Sequence, residues 1–278
     1  MEAALAIRAV NLGKRFLCRG WEPRRGMHQL AEQTLRAPFR LARRWSGVSP
    51  AATADPYFWA LHGVSFEIPR GQVIGLIGPN RAGKSVLLKV LARVTQPSDG
   101  FAEVRGAVAA VLEGGAPFQS ELTGRENLTL NGIVFGMDRH EVEAKLEPMV
   151  AFAEIGPFLD TPVKHYSSGM VARLAVAMTI HLGRDLLLID ETLATGDEAF
   201  REKCVRTLRA LAADGRTVLL VSHEPALISQ TCQRCLCLEA GQLVDDGPTS
   251  EVLSRYASRA RAHEKAVTFT PTANSSRL

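Results

Sequence analysis

One short stretch limits the folds open to this chain more than any other part of its sequence. Residues 78–85 read GPNRAGKS, a glycine, four free residues and then Gly-Lys-Ser. Residues 73–77 before them are apolar and typical of a buried parallel strand, and apolar residues after them recur at helical spacing. A strand, a glycine-rich loop and a helix in this order predict an α/β fold with a phosphate-binding loop.

This loop supplies the donors that the phosphates of a nucleotide require. The N–H groups in the first turn of a helix have no partner inside the helix, and the helix dipole adds positive charge there. Lys84 is placed to reach the β and γ phosphates, and Ser85 to bind Mg²⁺. We therefore predict ATP and Mg²⁺ as cofactors, with a nucleotide site formed by Gly78, Pro79, Asn80, Arg81, Ala82, Gly83, Lys84, Ser85 and Val86.

Two residues of the loop are unusual. Arg81 stands where a glycine would make a left-handed turn easy, and a larger residue in that conformation costs about 1–2 kcal/mol. Val86 stands where a hydroxyl would reach an α-phosphate. We expect a weaker affinity for nucleotide than the motif alone suggests.

The composition is that of a globular protein with unevenly placed positive charge. Of the 278 residues, 46% are hydrophobic, which is ample for the core of a large α/β domain. The net charge is only +4, yet eight arginines and two acidic residues fall between positions 15 and 44, which favours contact with an anionic surface. Because no apolar run reaches the roughly 18 residues of a membrane helix and the chain begins no signal peptide, we expect a cytoplasmic protein.

The cysteines do not predict a disulfide scaffold in a chain of this length. Cys232, Cys235 and Cys237 come close to a metal-ligand spacing, but the other two cysteines supply no second pair. Cys235 and Cys237 also fall on one face of an alternating strand. We therefore favour a structural role for them over a zinc site.

The two ends of the chain give weaker signals than its middle. Residues 7–16 predict an edge strand that pairs with residues 66–68 across an insertion, residues 17–56. The insertion is either a short basic amphipathic helix or a solvated loop. Residues 257–278 are polar and irregular, and we expect them to form a flexible tail after a single domain of residues 1–256.

An aromatic cluster, residues 57–59, lies shortly before the phosphate loop. One of these aromatic residues, or Phe16, can stack on the adenine ring, whereas packing in the core is the alternative for each of them. Among them we select Trp59 as the predicted stacking residue.

A helical block interrupts the strands and predicts a subdomain over about residues 114–180. Thr123 is a candidate N-cap, with Glu126 at the spacing of a capping box. Residues 166–170, YSSGM, open another helix of this block. Capping of that helix is the simplest role for the serines of this segment.

Polar residues follow two apolar strands farther along the chain. Residues 186–189 are a continuous apolar run, and they end in Asp190 and Glu191. Ser222 and His223 follow the strand predicted at 217–221. Because parallel strands end at one edge of a sheet, these side chains should lie near the phosphate loop. We predict Asp190 as a Mg²⁺ ligand, Glu191 as the residue that polarises the attacking water, and His223 as the group that senses the γ-phosphate.

Taken together, these motifs resemble the nucleotide-binding subunit of an ABC transporter. The matching segments are GPNRAGKS at 78–85, YSSGM at 166–170, which corresponds to the family's signature motif, LLLIDE at 186–191, the turn at 196–197 and VSHE at 221–224. More narrowly, four segments resemble the polysaccharide-export branch, which serves O-antigen, capsule and teichoic acid: FWALHGVSFEI at 58–68, ELTGRENLTLNG at 121–132, FLDTPVKHYSSGM at 158–170 and DETLATGDEAFREKC at 190–204.

The resemblance implies a fold, an activity and partners. The fold is an ABC-type ATPase core of the P-loop NTPase class, with a mainly parallel sheet, an antiparallel β edge and an inserted helical subdomain. Two copies bind head to tail, with each ATP between the Lys84 loop of one copy and Ser167, Ser168 and Gly169 of the other. The chain then lies at the cytoplasmic face of the bacterial inner membrane and hydrolyses ATP. This hydrolysis powers the export of lipid-linked polysaccharide across that membrane through integral-membrane permease subunits. No nucleic acid is expected as a partner.

The chain departs from the family at three positions. Arg81 and Val86 replace the usual Gly and Thr, and Glu113 stands where a Gln commonly lies in the Mg²⁺-sensing loop, although Gln119 is nearby. We keep Glu113 as a candidate metal ligand. Two alternatives to a polysaccharide exporter stay open at this point: a soluble ABC-type ATPase acting on ribosomes or DNA, and a nucleotide-binding regulator with little turnover.

Overall fold

The computed structural model describes residues 4–17, 57–112, 118–190 and 197–268, and within them strands and helices alternate. The strands are β1 (Leu5–Leu17), β2 (Tyr57–Pro69), β3 (Val73–Ile77), β4 (Asp99–Val104), β5 (Val108–Val111), β6 (Leu186–Ile189), β7 (Thr217–Val221), β8 (Arg234–Glu239) and β9 (Gln242–Pro248). The α-helices are α1 (Lys84–Leu91), α2 (Gly124–Val134), α3 (Arg139–Ala153), α4 (Ser168–His181), α5 (Glu198–Ala213), α6 (Pro225–Thr231) and α7 (Thr249–Thr268).

The larger sheet has six strands in the order β5-β6-β7-β3-β8-β9. Its first five strands are parallel, and β9 pairs antiparallel with β8. Every residue of β3 and β7 is buried, because helices cover one face of the sheet, and α1 together with a second sheet covers the other. Alternation along β6 shows this division, since Leu187 and Ile189 pack with the cluster of α3 to α6, whereas Leu186 and Leu188 pack with the cluster of α1.

The smaller sheet is antiparallel, with the order β2-β1-β4. The predicted pairing of β1 with residues 66–68 is confirmed, because Ile7 lies opposite Ile68 and Ala9 opposite Phe66. The prediction that β1 is an edge strand is wrong. Its other side pairs with β4, which is distant in sequence, so β1 lies in the middle of the sheet.

The helices α2, α3 and α4 lie between β5 and β6 in the chain, in the region where the sequence predicts a helical subdomain. The predicted capping box at α2 is present: Thr123 Oγ1 accepts a hydrogen bond from Glu126 N at 3.2 Å, and the Glu126 carboxylate accepts one from Thr123 N at 2.8 Å. Among the residues described, no helix combines the length and the apolar character needed to cross a bilayer.

The last helix corrects the prediction of an irregular tail that begins at residue 257. Helix α7 continues to Thr268, and residues 269–278 lie outside the described residues. The apolar contacts of this helix lie before residue 257, since Val252 is fully buried and Leu253 and Tyr256 pack against the same core cluster. Residues 257–261 continue the helix with mostly exposed side chains, so no apolar stripe marks that part as helical in the sequence.

The cysteines of β8 are core residues, as expected. Cys235 and Cys237 are fully buried on the face of β8 that packs against the helices. Burial raises the pKa of the Cys235 thiol to about 12 and that of Cys237 to about 11. In the part of the chain that the structure describes, no group of three His, Cys, Asp or Glu side chains is arranged to hold a metal ion.

Candidate nucleotide-binding site

The site is built at one edge of the larger sheet, where three neighbouring parallel strands end. β3 leads into the phosphate loop, and α1 begins at Lys84, as the sequence predicts. Asp190 follows β6, and Ser222 and His223 follow β7. Because β6, β7 and β3 are adjacent in the sheet, their carboxyl ends bring these side chains to the same edge.

The loop presses so closely on its neighbours that two of its glycines have no room for a side chain. A Cβ atom at Gly78, where φ is 148°, would lie 2.0 Å from the carbonyl oxygen of Leu238. A Cβ atom at Gly83, where φ is 104°, would lie 2.5 Å from the carbonyl oxygen of Ala60. The backbone of the loop is therefore fixed from behind by β8 and β2, and its open side can face a ligand.

Lys84 lies across this loop with only 7% of its surface exposed. Its ammonium donates hydrogen bonds to the carbonyl oxygens of Gly78 at 2.8 Å and Pro79 at 3.0 Å. An ammonium has three donors, so two of them orient the side chain within the loop. Among the described residues, these two bonds leave one donor and the positive charge for phosphate oxygens, which fits the predicted role of Lys84.

An open cleft of about 610 Å³ lies over the loop and is of the size that nucleotide-like ligands occupy. Phe58, Ala60 and the loop residues from Asn80 to Val86 line it. Arg81 is left-handed, with φ of 67°, as the sequence predicts for that position. Glycines that would clash with any Cβ atom, an anchored ammonium and the start of α1 together fit a triphosphate.

Among the described residues, the aromatic side chain on this cleft is Phe58 rather than Trp59. Side chains alternate along a strand, so Phe58 and Ala60 share the face of β2 that lines the cleft. Trp59 points to the other face, where its ring lies 5.4 Å from the ring of His62 and 5.5 Å from the guanidinium carbon of Arg15. The structure therefore places Phe58 on the cleft and the selected Trp59 away from it, and the identity of the stacking residue stays a prediction. The alternation of β2 was visible in the sequence, but the face next to the loop was not.

The structure describes some of the remaining residues that were predicted for this site, but not all of them. Asp190 is 2% exposed at the end of β6, and Ser85 lies in the first turn of α1. His223 shares a small cavity with Gly78, so the turn after β7 contacts the phosphate loop. Glu191 and Glu113 lie outside the described residues, and their roles stay predictions.

The serine-rich segment at the start of α4 does not line the cleft. Ser167 is the N-cap of α4, and its hydroxyl accepts a hydrogen bond from Met170 N at 3.2 Å. Ser167 and Ser168 are exposed, and the cleft around Lys84 is lined by β2 and the phosphate loop instead. Within one copy of the chain, the structure therefore does not bring Ser167, Ser168 and Gly169 to the nucleotide site.

Comparisons with known proteins agree with this site. The pattern of the family described as "ABC transporter" matches residues 61–194. An "O-antigen export system ATP-binding protein RfbB" from Klebsiella pneumoniae is 40% identical over 199 residues, which cover 72% of this chain and 81% of that protein. The chain belongs to the ABC transporter family. The "ABC transporter protein AbcA" of Aeromonas salmonicida is 42% identical, over 76% of this chain and 68% of that protein.

Other relatives of this ABC transporter chain are longer. It is 40% identical to the "O-antigen export system ATP-binding protein RfbB" of Myxococcus xanthus over 77% of its own length, but it spans only 49% of that protein. The "Teichoic acids export ATP-binding protein TagH" of Bacillus anthracis is 36% identical over 72% of this chain and 36% of that protein. These names confirm the predicted resemblance to the polysaccharide-export branch.

Solved structures confirm the predicted ABC ATPase fold. The "Structure of ATP binding subunit of ABC transporter" superposes with a TM-score of 0.69, covers 91% of this chain and 93% of the other, and is 20% identical. A dimeric ATP-binding cassette in a post-hydrolysis state, bound to ADP and Pi, superposes with a TM-score of 0.67 over 87% of this chain and 98% of the other at 18% identity. At these identities the likeness concerns the fold.

The left-handed conformation of Arg81 yields a prediction about affinity. We expect Arg81→Gly either to leave the affinity for ATP unchanged or to increase it by at most about tenfold. The reason is that the change removes at most about 1.4 kcal/mol of backbone strain. Arg81→Asn is the matched variant, since asparagine tolerates the left-handed region but carries no charge. Titration calorimetry with ATP and Mg²⁺ measures both. A marked loss of affinity in both variants would mean that the guanidinium contacts phosphate.

Proposed function

We propose that this chain is the ATP-hydrolysing subunit of an ABC exporter that moves a lipid-linked polysaccharide, such as O-antigen, capsule or a related polymer, across the bacterial inner membrane. The observation that carries the proposal is the meeting of the Lys84 loop, Asp190 and His223 at one sheet edge. The names of the relatives, which are O-antigen and teichoic acids export proteins, support the class of cargo.

The chemistry assigned to this edge is transfer of the γ-phosphoryl group to water. Lys84 binds the β and γ phosphates. Ser85 and Asp190 would hold Mg²⁺, and its charge would neutralise that of the phosphates. Glu191 accepts a proton from the water whose oxygen forms the new bond to phosphorus. The bond between the γ-phosphorus and the oxygen that bridges the β and γ phosphates breaks, and the leaving group is ADP. His223 contacts the γ-phosphate and holds the reacting geometry.

The second part of the proposal is that two copies form a head-to-tail dimer. Ser167 and Ser168 are exposed at the N-terminus of α4, where backbone donors and the helix dipole favour an anion. Since these residues lie away from the cleft of their own copy, a second copy is the natural source of donors for the outer face of the γ-phosphate. The dimeric arrangement in a structure of the same fold supports this assembly.

The third part of the proposal assigns a surface to the permease. Apolar side chains are exposed at helical spacing on α2, and Phe158 is exposed shortly after α3. The exposed residues of α2 are Leu130, Ile133 and Val134. Exposed apolar patches of this kind are typical of protein interfaces, and we assign this apolar surface to the integral-membrane partner.

A charge placed on this apolar surface should uncouple the subunit from its permease. We expect Val134→Asp to lower the membrane-bound fraction of the chain by about tenfold or more, because an aspartate buried in an apolar interface has no partner for its charge. Val94→Asp is the matched control, since Val94 is 67% exposed and Val134 is 69% exposed, and Val94 lies in the turn after α1. Fractionation of cells that express the permease measures both. Equal retention of the two variants would refute this assignment.

The proposed function is tested by deletion of the gene in its host and complementation. Without the chain, we expect the surface polysaccharide to be lost and the lipid-linked polymer to accumulate inside the cell. The wild-type gene should restore export, and Lys84→Ala should not. An unchanged amount of surface polymer in the deletion strain would refute the assignment of polysaccharide as the cargo. Export that continues with a hydrolysis-deficient chain would indicate that the chain regulates transport and does not power it.

A further inference from the structure

Helix α7 lies directly beside the turn that carries His223. A cavity of about 10 Å³ lies between three segments: Ile77 and Gly78 at the end of β3, Ser222, His223 and Pro225 after β7, and Leu253 and Tyr256 of α7. A void of that volume holds one water molecule at most. The three segments are therefore nearly in contact, and two side chains of α7 form one wall.

One end of α7 is fixed to the end of α6. The hydroxyl of Thr249 donates a hydrogen bond to the carbonyl oxygen of Cys232 at 2.9 Å, and Thr249 N donates to the carbonyl oxygen of Gln233 at 3.1 Å. The first turn of the helix consequently has little freedom to shift along the sheet.

The middle of α7 is fixed to β8 and β9 by two arginines. Arg255 donates two hydrogen bonds to the carboxylate of Asp245, at 2.7 and 2.9 Å, and so forms a forked ion pair. The side chain of Asp245 is largely buried, which shields this pair from water. The hydrogen bonds from Arg255 lower the pKa of Asp245. Arg259 adds an ion pair with Glu239 at 3.2 Å. These contacts make α7 a rigid support that belongs to the β8–β9 side of the sheet.

The face that this support presents to the histidine turn is apolar. Leu253 and Tyr256 are half-buried and pack against the core cluster of the helices. Burial raises the pKa of the Tyr256 phenol, and the nearby Cys237 and Glu239 add to this effect. The neutral ring therefore packs against the turn, and it acts there through van der Waals contact and not through charge.

We propose that α7 holds the histidine turn in place, with Leu253 and Tyr256 as positioning residues for His223. This inference rests on the proposed function, because it assigns to α7 an effect on the γ-phosphate side of the nucleotide site. Ser222 Oγ accepts a hydrogen bond from Glu224 N at 3.0 Å, which fixes the turn from within. The wall formed by α7 fixes it from outside, and it keeps the imidazole at a constant distance from Gly78. A displacement of about 1 Å at a reacting group can cost about 100-fold in rate.

The test compares substitutions on two faces of the same helix. Tyr256→Ala and Leu253→Ala remove the cavity wall, and we expect each to lower kcat for ATP hydrolysis by about tenfold or more while KM for ATP stays within about threefold. Tyr256→Phe keeps the ring and should retain at least half of kcat. Val252→Ala is the control, because it removes buried apolar surface from the same turn of α7 but lines no part of the cavity. It should lower Tm and leave kcat within about twofold.

A second readout does not depend on hydrolysis. In the purified chain with isotope-labelled histidine, the resonance of His223 is identified by its loss in His223→Gln. Tyr256→Ala should shift or broaden that resonance, since an aromatic ring leaves its surroundings, and Val252→Ala should not. If the wild-type chain fails to hydrolyse ATP, the proposed function fails and the resonance still decides the inference. An unmoved resonance in Tyr256→Ala, or an equal loss of kcat in Val252→Ala, would overturn the role of α7.

Discussion

Replacement of Lys84 by alanine is expected to weaken ATP binding by at least about 100-fold, which corresponds to about 2.7 kcal/mol. The ammonium is held over the phosphate loop by the carbonyl oxygens of Gly78 and Pro79, at 2.8 and 3.0 Å. Its loss removes the charge that faces the β and γ phosphates, and it also leaves two carbonyl oxygens of the loop without their donor. Titration calorimetry with ATP and Mg²⁺ gives the affinity directly.

The control for this change is Lys89→Ala. Lys89 lies in the last turn of the same helix, α1, so its replacement removes the same charge without touching the loop. We expect its affinity for ATP to stay within about threefold of the wild type. Thermal unfolding of both variants shows whether the helix is intact. ATP binding by Lys84→Ala at wild-type affinity would contradict the nucleotide site itself.

Glu191→Gln should lower the rate of ATP hydrolysis by about 100-fold or more while ATP binding is retained. Asp190 and Glu191 are adjacent in the sequence, and Asp190 is buried at the end of β6, at the sheet edge that also carries the phosphate loop. A general base contributes about 10²–10⁴-fold to such a reaction, and glutamine cannot accept the proton. With hydrolysis blocked, ATP should hold two copies together, and light scattering after gel filtration should show a species of twice the mass.

Glu198→Gln is the matched control for this prediction. It removes one carboxylate from the first turn of α5, where the side chain of Glu198 is 71% exposed and lies 3.7 Å from Arg201. We expect hydrolysis within about twofold of the wild type and no trapped dimer. Wild-type turnover by Glu191→Gln would show that another group activates the water.

The parts of the site that the sequence predicts are those whose chemistry is local. The loop at 78–85 requires a strand before it and a helix after it, and β3 and α1 lie there. The carboxyl ends of β6 and β7 follow from apolar runs that are typical of central parallel strands, and the two strands pair in parallel. The cap formed by Thr123 is a contact between residues three positions apart. In each case the interacting groups are close in sequence or follow a fixed topology.

The parts that the sequence does not predict depend on contacts between distant segments. The choice between Phe58 and Trp59 is made by the face of β2 that approaches Gly83, and this approach is set by tertiary packing. The central position of β1 depends on β4, about 90 residues away in sequence. The contact of α7 with the histidine turn joins segments that no sequence pattern links.

The close approach of Gly83 to the carbonyl of Ala60 also has a consequence for selectivity among nucleotides. Phe58 and the phosphate loop belong to one tightly packed unit, so the distance between the base and phosphate ends of the cleft is fixed. At the base end, among the described lining residues, the side chains of Phe58 and Ala60 offer a flat apolar surface and no hydrogen-bonding group to the edge of a purine. An aromatic ring stacks on either purine, because both present a π-face. GTP should therefore bind within a few fold of ATP, and the nucleotide supply of the cell, more than the protein, would decide which of the two occupies the site.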